Sequence, residues 1–362
     1  MQARPGAVDP GFWAGRRVLV TGHTGFKGAW LSLWMQSMGA RVTGFSAGVP
    51  TTPSLYELAS VRDGMESVVG DIRDRDAIAA AIARVQPEVV VHMAAQSLVR
   101  RSFADPAETY GTNVIGTVNL LDAVRAAGST VRVVVNVTSD KCYENRERER
   151  GYREDEAMGG HDPYSSSKGC AELVARAYSR SFFSDPDGTR LASARAGNVI
   201  GGGDWAEDRL VADVMQAAVA GGQALIRNPD SIRPWQHVLS PLSGYLVLAQ
   251  ALWRSHELEP AYNFGPAERD ELPVGWVVER LAELWPGGIR WGLDGAGGPH
   301  EARYLKLDSS LARTALGWRP PVELDAALQS VVEWYLELAR GGDVRAVTLG
   351  QIERLCTPAL DG

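Results

Sequence analysis

The chain has 362 residues, 45% of them apolar, enough to bury a large core as one big domain or two. Its formal charge of −7 gives no overall attraction to nucleic acid or to an anionic membrane surface, and no run of about 18 apolar residues is present to span a membrane. The N-terminus lacks a signal-peptide core, and three cysteines (Cys142, Cys170, Cys356) stand at no metal-ligand spacing. We therefore expect a cytoplasmic protein without a metal.

The first half alternates short apolar runs with helical patterns. Runs at 18–21, 42–45, 68–69, 89–92, 131–137 and 191–195 read as buried parallel strands. Helical patterns lie between them, notably at 76–85, 107–127 and 164–183. This predicts an α/β fold, a doubly wound parallel sheet of the Rossmann type, with ligands at the carboxyl ends of the strands. After Gly197 the pattern turns irregular and richer in Gly, Pro and Trp, which predicts a smaller C-terminal substrate-binding domain. A helix over 237–253 and a strand over 261–264 return to the first domain. The expected division is 12–200 with about 234–265 for the cofactor, and about 201–233 with 266–350 for the substrate. The run from Asn145 to Arg150 alternates in sign and reads as a solvated loop.

The first apolar run ends in Thr21-Gly22-His23-Thr24-Gly25-Phe26-Lys27-Gly28, and an apolar-periodic stretch starts at Trp30. Strand, tight turn and helix N-terminus in that order make a diphosphate site, because glycines let the backbone come close and free N–H groups attract the anion. The spacing is Gly-x-x-Gly-x-x-Gly rather than Gly-x-Gly-x-x-Gly. About 140 residues later, Tyr164 and Lys168 stand four apart, on one helical face. A tyrosine with a pKa of about 10 is a poor base at neutral pH, and a nearby ammonium favours its phenolate.

Together, the loop and Tyr-x-x-x-Lys resemble the extended short-chain dehydrogenase/reductase family. The resemblance implies NAD as cofactor, held by Gly22, Thr24, Gly25, Phe26 and Gly28, by Asp71 and Ile72 at the adenine, by Ala94, Ala95 and Gln96 at the ribose and diphosphate, and by Tyr164 and Lys168. Asn113 is implied to support the active-site lysine through water. From position alone Asp71 reads equally as a helix cap, and Asn113 as polar filling. One departure stands out. The acid that grips the adenosine ribose is missing, since no charged residue occurs from Thr43 to Tyr56. No nearby cation offers NADP a partner either, so NAD is favoured.

The fifth apolar run ends in Ser139-Asp140-Lys141, where the family places its catalytic groups. Ser139 matches the residue that completes a triad with Tyr164 and Lys168. Dehydratases acting on dTDP-glucose carry Asp-Glu at the next two positions; Asp140-Lys141 resembles the enzymes acting on CDP-glucose. Phe12-Trp13, the glycine loop, the run from Arg195 to Trp205, the run from Arg233 to His237 and the run from Glu301 to Leu307 resemble them too, so the likeness spans roughly 12–340. It implies a hydro-lyase that converts CDP-glucose to its 4-keto-6-deoxy derivative and water, with Tyr164 as the base at carbon 4. Asp140 is expected as the acid at carbon 6, and Lys141 as the carbon 5 base or an oxyanion stabiliser; a lysine must be neutral to accept a proton. Asn198, Arg209, Arg233 and Arg303 are the expected substrate ligands, with Arg195 a further candidate for the diphosphate. The helices at 107–127 and 164–183 form a four-helix dimer contact in the family, which implies a homodimer. An epimerase, a dehydratase for another sugar nucleotide and a non-catalytic NAD sensor are the alternatives; retention of both Tyr164 and Lys168 weighs against the sensor.

Overall fold

The computed structural model describes residues 6–294 and 304–356. Seven strands form one parallel sheet: β1 (Arg17–Thr21), β2 (Arg41–Ser46), β3 (Glu66–Val69), β4 (Val89–His92), β5 (Val133–Val137), β6 (Arg190–Arg195) and β7 (Ala261–Asn263). Their spatial order is β7-β6-β5-β4-β1-β2-β3. The order reverses at β1, which pairs with β4 on one side and β2 on the other; in open α/β sheets the carboxyl ends at such a switch point form the ligand crevice.

The strands are β-branched runs whose alternate residues feed two apolar layers. Val18, Val20, Val89, Val91, Val133 and Val135 face one layer; Leu19, Val90 and Val134 face the other. The main helices are α1 (Phe26–Ser37), α2 (Arg75–Val85), α3 (Gly116–Ala126), α4 (Pro163–Phe182), α5 (Leu210–Val219) and α6 (Leu239–Arg254). The first layer continues into Trp318 and Trp334 of the C-terminal half. That half supplies three two-stranded pairs: Val199–Ile200 with Gln236–His237, Gln223–Ile226 with Arg290–Leu293, and Ile232–Pro234 with Glu271–Pro273. None of the described helices is long and apolar enough to cross a membrane.

Two sequence expectations change. The third strand is not buried: β3 closes the sheet edge, and Val69 is 79% exposed. The helix expected over 107–127 runs without a break from Pro106–Tyr110 through Gly111–Ile115 into α3, but it widens to a π turn at Gly111–Ile115. Asn113 lies in that turn: its side chain accepts from Gln96 N at 2.8 Å and donates to Gln96 O at 3.0 Å and Ser167 Oγ at 2.8 Å. A widened turn is a common way to aim a side chain at a functional site.

Candidate active site

Polar residues line the carboxyl ends of the strands. Thr21 Oγ1 bonds His92 Nδ1 at 2.8 Å and accepts from the N–H groups of Met93 and Ala94, each at 3.1 Å. This hydroxyl ties the glycine turn to the 93–96 stretch. Gly22 has φ +75°, and a Cβ there would stand 2.9 Å from Ala94 N, so only glycine lets the two segments meet. Gly25 caps α1 without a side-chain bond, which leaves the first N–H groups of the helix, from Phe26 on, to the crevice. Thr24 Oγ1 donates to Gly48 O at 2.6 Å and closes the turn over the end of β2. No charged side chain follows β2. Instead the ring of His23 packs over Gly44, bonded to Ser46 Oγ at 2.9 Å and Ser67 Oγ at 2.7 Å, and burial pushes its pKa down to about 4.

Asp71 follows β3 and takes a 2.6 Å ion pair from Arg73, whose hydrogen bonds hold its carboxyl below the usual range. It is not the helix cap; that is Asp74, which accepts from Asp76 N and Ala77 N. Ile72 is buried, and Ala94, Ala95 and Gln96 lie against the glycine turn and Asn113.

Across the crevice, α4 starts at the cap Asp162 with Pro163 in its first turn, which places Tyr164 and Lys168 on one buried face. Lys168 Nζ donates to Val137 O at 3.4 Å. Burial lowers its pKa to about 8, and Glu172 acts against that fall. Burial pushes Tyr164 up to about 12, while the Ser139 hydroxyl and the charge of Arg209 pull it down. The phenol thus lies above its ordinary value, contrary to the sequence expectation, because desolvation of the phenolate outweighs the Ser139 hydrogen bond and the charge of Arg209. Ser139 Oγ donates to Asp140 Oδ1 at 2.9 Å and accepts from Lys141 N at 3.2 Å. Asp140 is buried, and that burial pushes its carboxyl up although Lys141 and Lys27 pull it down. An acid held toward its protonated form beside a phenol and lysines can deliver a proton to a leaving group.

Of the expected substrate ligands, Asn198 follows β6 and Arg209 stands at the head of α5, close enough for its charge to act on Tyr164. Arg233 lies in the strand Ile232–Pro234, half-buried, and Arg303 falls outside the described residues. Arg195 does not face a ligand. It is buried, and its guanidinium is bonded to Glu172 at 2.7 Å, Tyr143 Oη at 2.7 Å and Glu154 O at 3.1 Å. These three bonds go to internal acceptors, and Nε, which has no hydrogen-bond partner, is buried with them, so the guanidinium is held inside the protein.

The sequence profile of the GDP-mannose 4,6-dehydratase family matches residues 19–252. The chain belongs to the GDP-mannose 4,6-dehydratase family. It is 54% identical over 342 residues to the CDP-glucose 4,6-dehydratase of Salmonella typhimurium, covering 93% of this chain and 95% of that protein. Among solved structures it is similar to the dTDP-glucose 4,6-dehydratase of Bacillus anthracis in complex with NAD, with a TM-score of 0.73, 24% identity, and 89% of this chain and 97% of that one covered. The UDP-glucose 4-epimerase of Thermotoga maritima with UDP-glucose gives a TM-score of 0.77 at 21% identity, over 89% of this chain and 99% of that one. At such identities these two structures bear on the fold.

For a GDP-mannose 4,6-dehydratase family member, the site holds two charged residues that sequence reasoning did not assign. Lys27, in the glycine turn, donates to Tyr245 Oη at 2.9 Å; burial, with Lys168 and Arg209, lowers its pKa to about 7. Its signal was a cation inside a phosphate loop. Glu172 lies one turn beyond Lys168, bonded to Thr138 and Arg195. Its signal was the repeated spacing of four from Tyr164 through Lys168.

Proposed function

We propose that this chain converts CDP-glucose to CDP-4-keto-6-deoxyglucose and water, as a hydro-lyase that uses NAD. One observation carries the reaction class: Ser139, Asp140 and Lys141 sit together at the end of β5 beside Tyr164 and Lys168, with Asp140 buried and raised. The choice of cytidine nucleotide rests on the Salmonella relative.

The residues at the switch point fit NAD: an uncapped helix N-terminus after a glycine turn suits a diphosphate, and the absence of a cation after β2 suits an unphosphorylated ribose. In this reading Gly22, Thr24, Gly25, Phe26 and Gly28 hold the diphosphate, Asp71 and Ile72 the adenine end, and Ala94, Ala95, Gln96 and Asn113 the middle. NAD, when bound, supplies the acceptor of the carbon 4 hydride and its donor at carbon 6. Tyr164, in its phenolate form, takes the hydroxyl proton at carbon 4, with Lys168 beside it. The ketone so formed acidifies the hydrogen on carbon 5, which Lys141 removes and later returns. Asp140 gives its proton to the carbon 6 hydroxyl, which leaves as water. Tyr164 has then gained one proton and Asp140 lost one, and exchange with solvent resets both. Asn198, Arg209, Arg233 and Arg303 are the proposed substrate ligands. Residues 12–200 with 234–265 serve the cofactor, and 201–233 with 266–350 the substrate.

A homodimer is part of this reading. Phe103, Tyr110, Ile115, Leu173 and Phe182 leave large apolar side chains exposed on and beside the segments 106–126 and α4, and Leu173 is 59% exposed. A second copy packed there covers them. Light scattering on the purified chain is expected to give twice the chain mass, and Leu173→Glu to give a monomer. Free Cys142 and Cys170 suit the reducing cytoplasm we assign.

The test of the function is incubation with NAD and CDP-glucose, with dTDP-, UDP- and GDP-sugars alongside, read by the alkali-induced absorbance of a 4-keto-6-deoxy product. Product from CDP-glucose alone is expected. Product only from another sugar nucleotide keeps the chemistry and overturns the base. No product from any of them, with NAD bound, overturns the reaction in favour of an epimerase or a sensor.

A further inference from the structure

We propose that Glu172 is a positioning residue of this site, which fixes the Lys168 side chain in its charged form from the turn opposite Tyr164. Tyr164, Lys168 and Glu172 recur every four residues on α4, so Lys168 lies between the other two on one face. All three are buried. The carboxylate is held from both sides: one oxygen accepts from the Thr138 hydroxyl, and the other accepts from Arg195 Nη2 at 2.7 Å. Thr138 immediately precedes Ser139, so a single carboxylate links the catalytic helix to the strand end that carries Ser139 and Asp140, and to β6.

A buried ammonium is costly unless an opposite charge stands near it. Among the described residues Lys168 makes one hydrogen bond, the 3.4 Å contact to Val137 O. The titratable groups around it come from every packed element. His92 from β4 is pushed down to about 3 by burial and is neutral. Lys27 from α1 is another amine, one that Lys168 itself acts on. From the 140–142 turn, burial raises Asp140 and Cys142 toward their neutral forms. Tyr164 is held as a phenol, and Arg195 from β6 is a cation. Glu172 is the carboxylate of this set locked in an ion pair, and its field opposes the fall that burial imposes on Lys168. Both its oxygens being bonded elsewhere, it acts on Lys168 through space.

The sign follows. Lys168 is charged below its pKa, about 8, and loses the charge as pH rises through that value. Removing an anion that favours the charged form moves the midpoint down, by about one pH unit for an opposite charge one helical turn away. The test is an NMR titration of the full-length chain with isotope-labelled lysine, with the Lys168 signal assigned by its loss in Lys168→Met. In Glu172→Gln the Lys168 midpoint is expected to fall by about one unit, and in Glu172→Asp to stay near wild type. An unmoved midpoint in Glu172→Gln overturns the proposal. Should the lone Arg195 charge prevent folding, Glu172→Gln with Arg195→Met is compared with Arg195→Met alone, so that only the carboxylate differs; the fall is expected between those two, and its absence is equally fatal. The inference rests on Tyr164 and Lys168 being the catalytic pair, but the titration needs no substrate, so the two readings fail separately. In turnover, the alkaline limb is expected to move down with the midpoint while activity near pH 6 stays within about two-fold. A uniform loss at all pH values marks a merely structural role and overturns it.

Discussion

Tyr164→Phe is expected to lower turnover of CDP-glucose by about a thousand-fold, with KM within a few-fold of wild type. General acid–base groups contribute about 10²–10⁴ in rate, and this one acts in the first bond change, so nothing downstream compensates. Phenylalanine keeps the buried ring and its packing, which confines the loss to the hydroxyl. Two other phenols stand near, Tyr143 and Tyr245, but burial drives both further above the ordinary tyrosine range than Tyr164, so neither substitutes. Their oxygens are also engaged, Tyr143 by Arg195 and Asn263, and Tyr245 by Lys27. The measurements are the rate of 4-keto-6-deoxy product and the exchange of the carbon 5 hydrogen with deuterated solvent. Both are lost together, because no ketone forms to acidify that hydrogen. Activity above about a tenth of wild type, from a chain that keeps its fold by circular dichroism, removes Tyr164 from the base position.

The sheet was legible because its signal is local. Runs such as Val18–Leu19–Val20 and Val133–Val134–Val135 are β-branched or apolar at every position, as strands covered on both faces must be, and all seven strands lie within about two residues of the expected runs. What was not legible depends on partners distant in sequence. The exposure of β3 comes from its place at the sheet edge, which the run itself does not encode. The π turn at 111–115 holds Asn113, whose bond to Gln96 spans 17 residues, far beyond any periodicity that a helix pattern reports. Arg195 was a candidate for the diphosphate because that group needs cations or N–H donors. Its partner Glu172 comes from α4, 23 residues away, and turns it inward. The candidate site divides the same way. Tyr164, Lys168 and the glycine turn are spacing signals and were read from the chain. The roles open to Lys27 and Glu172 appear only when α1, α4 and β5 are brought together.

Asp140→Asn and Lys141→Ala are expected to divide the later steps between them. Asparagine matches the size of a protonated aspartate and can occupy the same buried place without a charge, yet it has no proton to give a leaving hydroxyl. Product formation in Asp140→Asn is therefore expected to fall by about 10²–10³, within the usual range for loss of a general acid. The steps before elimination need Tyr164 and the carbon 5 base, both intact, so recovered CDP-glucose is expected to gain deuterium at carbon 5. That split, exchange without product, distinguishes a lost acid from a disordered site, which loses both. Lys141→Ala is expected to lose exchange and product together if its amine is the base. Exchange at the normal rate in that variant assigns Lys141 to stabilising the oxyanion instead. Asp140→Asn that turns over as fast as wild type, or that loses exchange along with product, rules out Asp140 as the acid at carbon 6. The acid assignment has a physical reason: among the residues at the end of β5, Asp140 is the buried carboxyl, and burial shifts a carboxyl toward its protonated form.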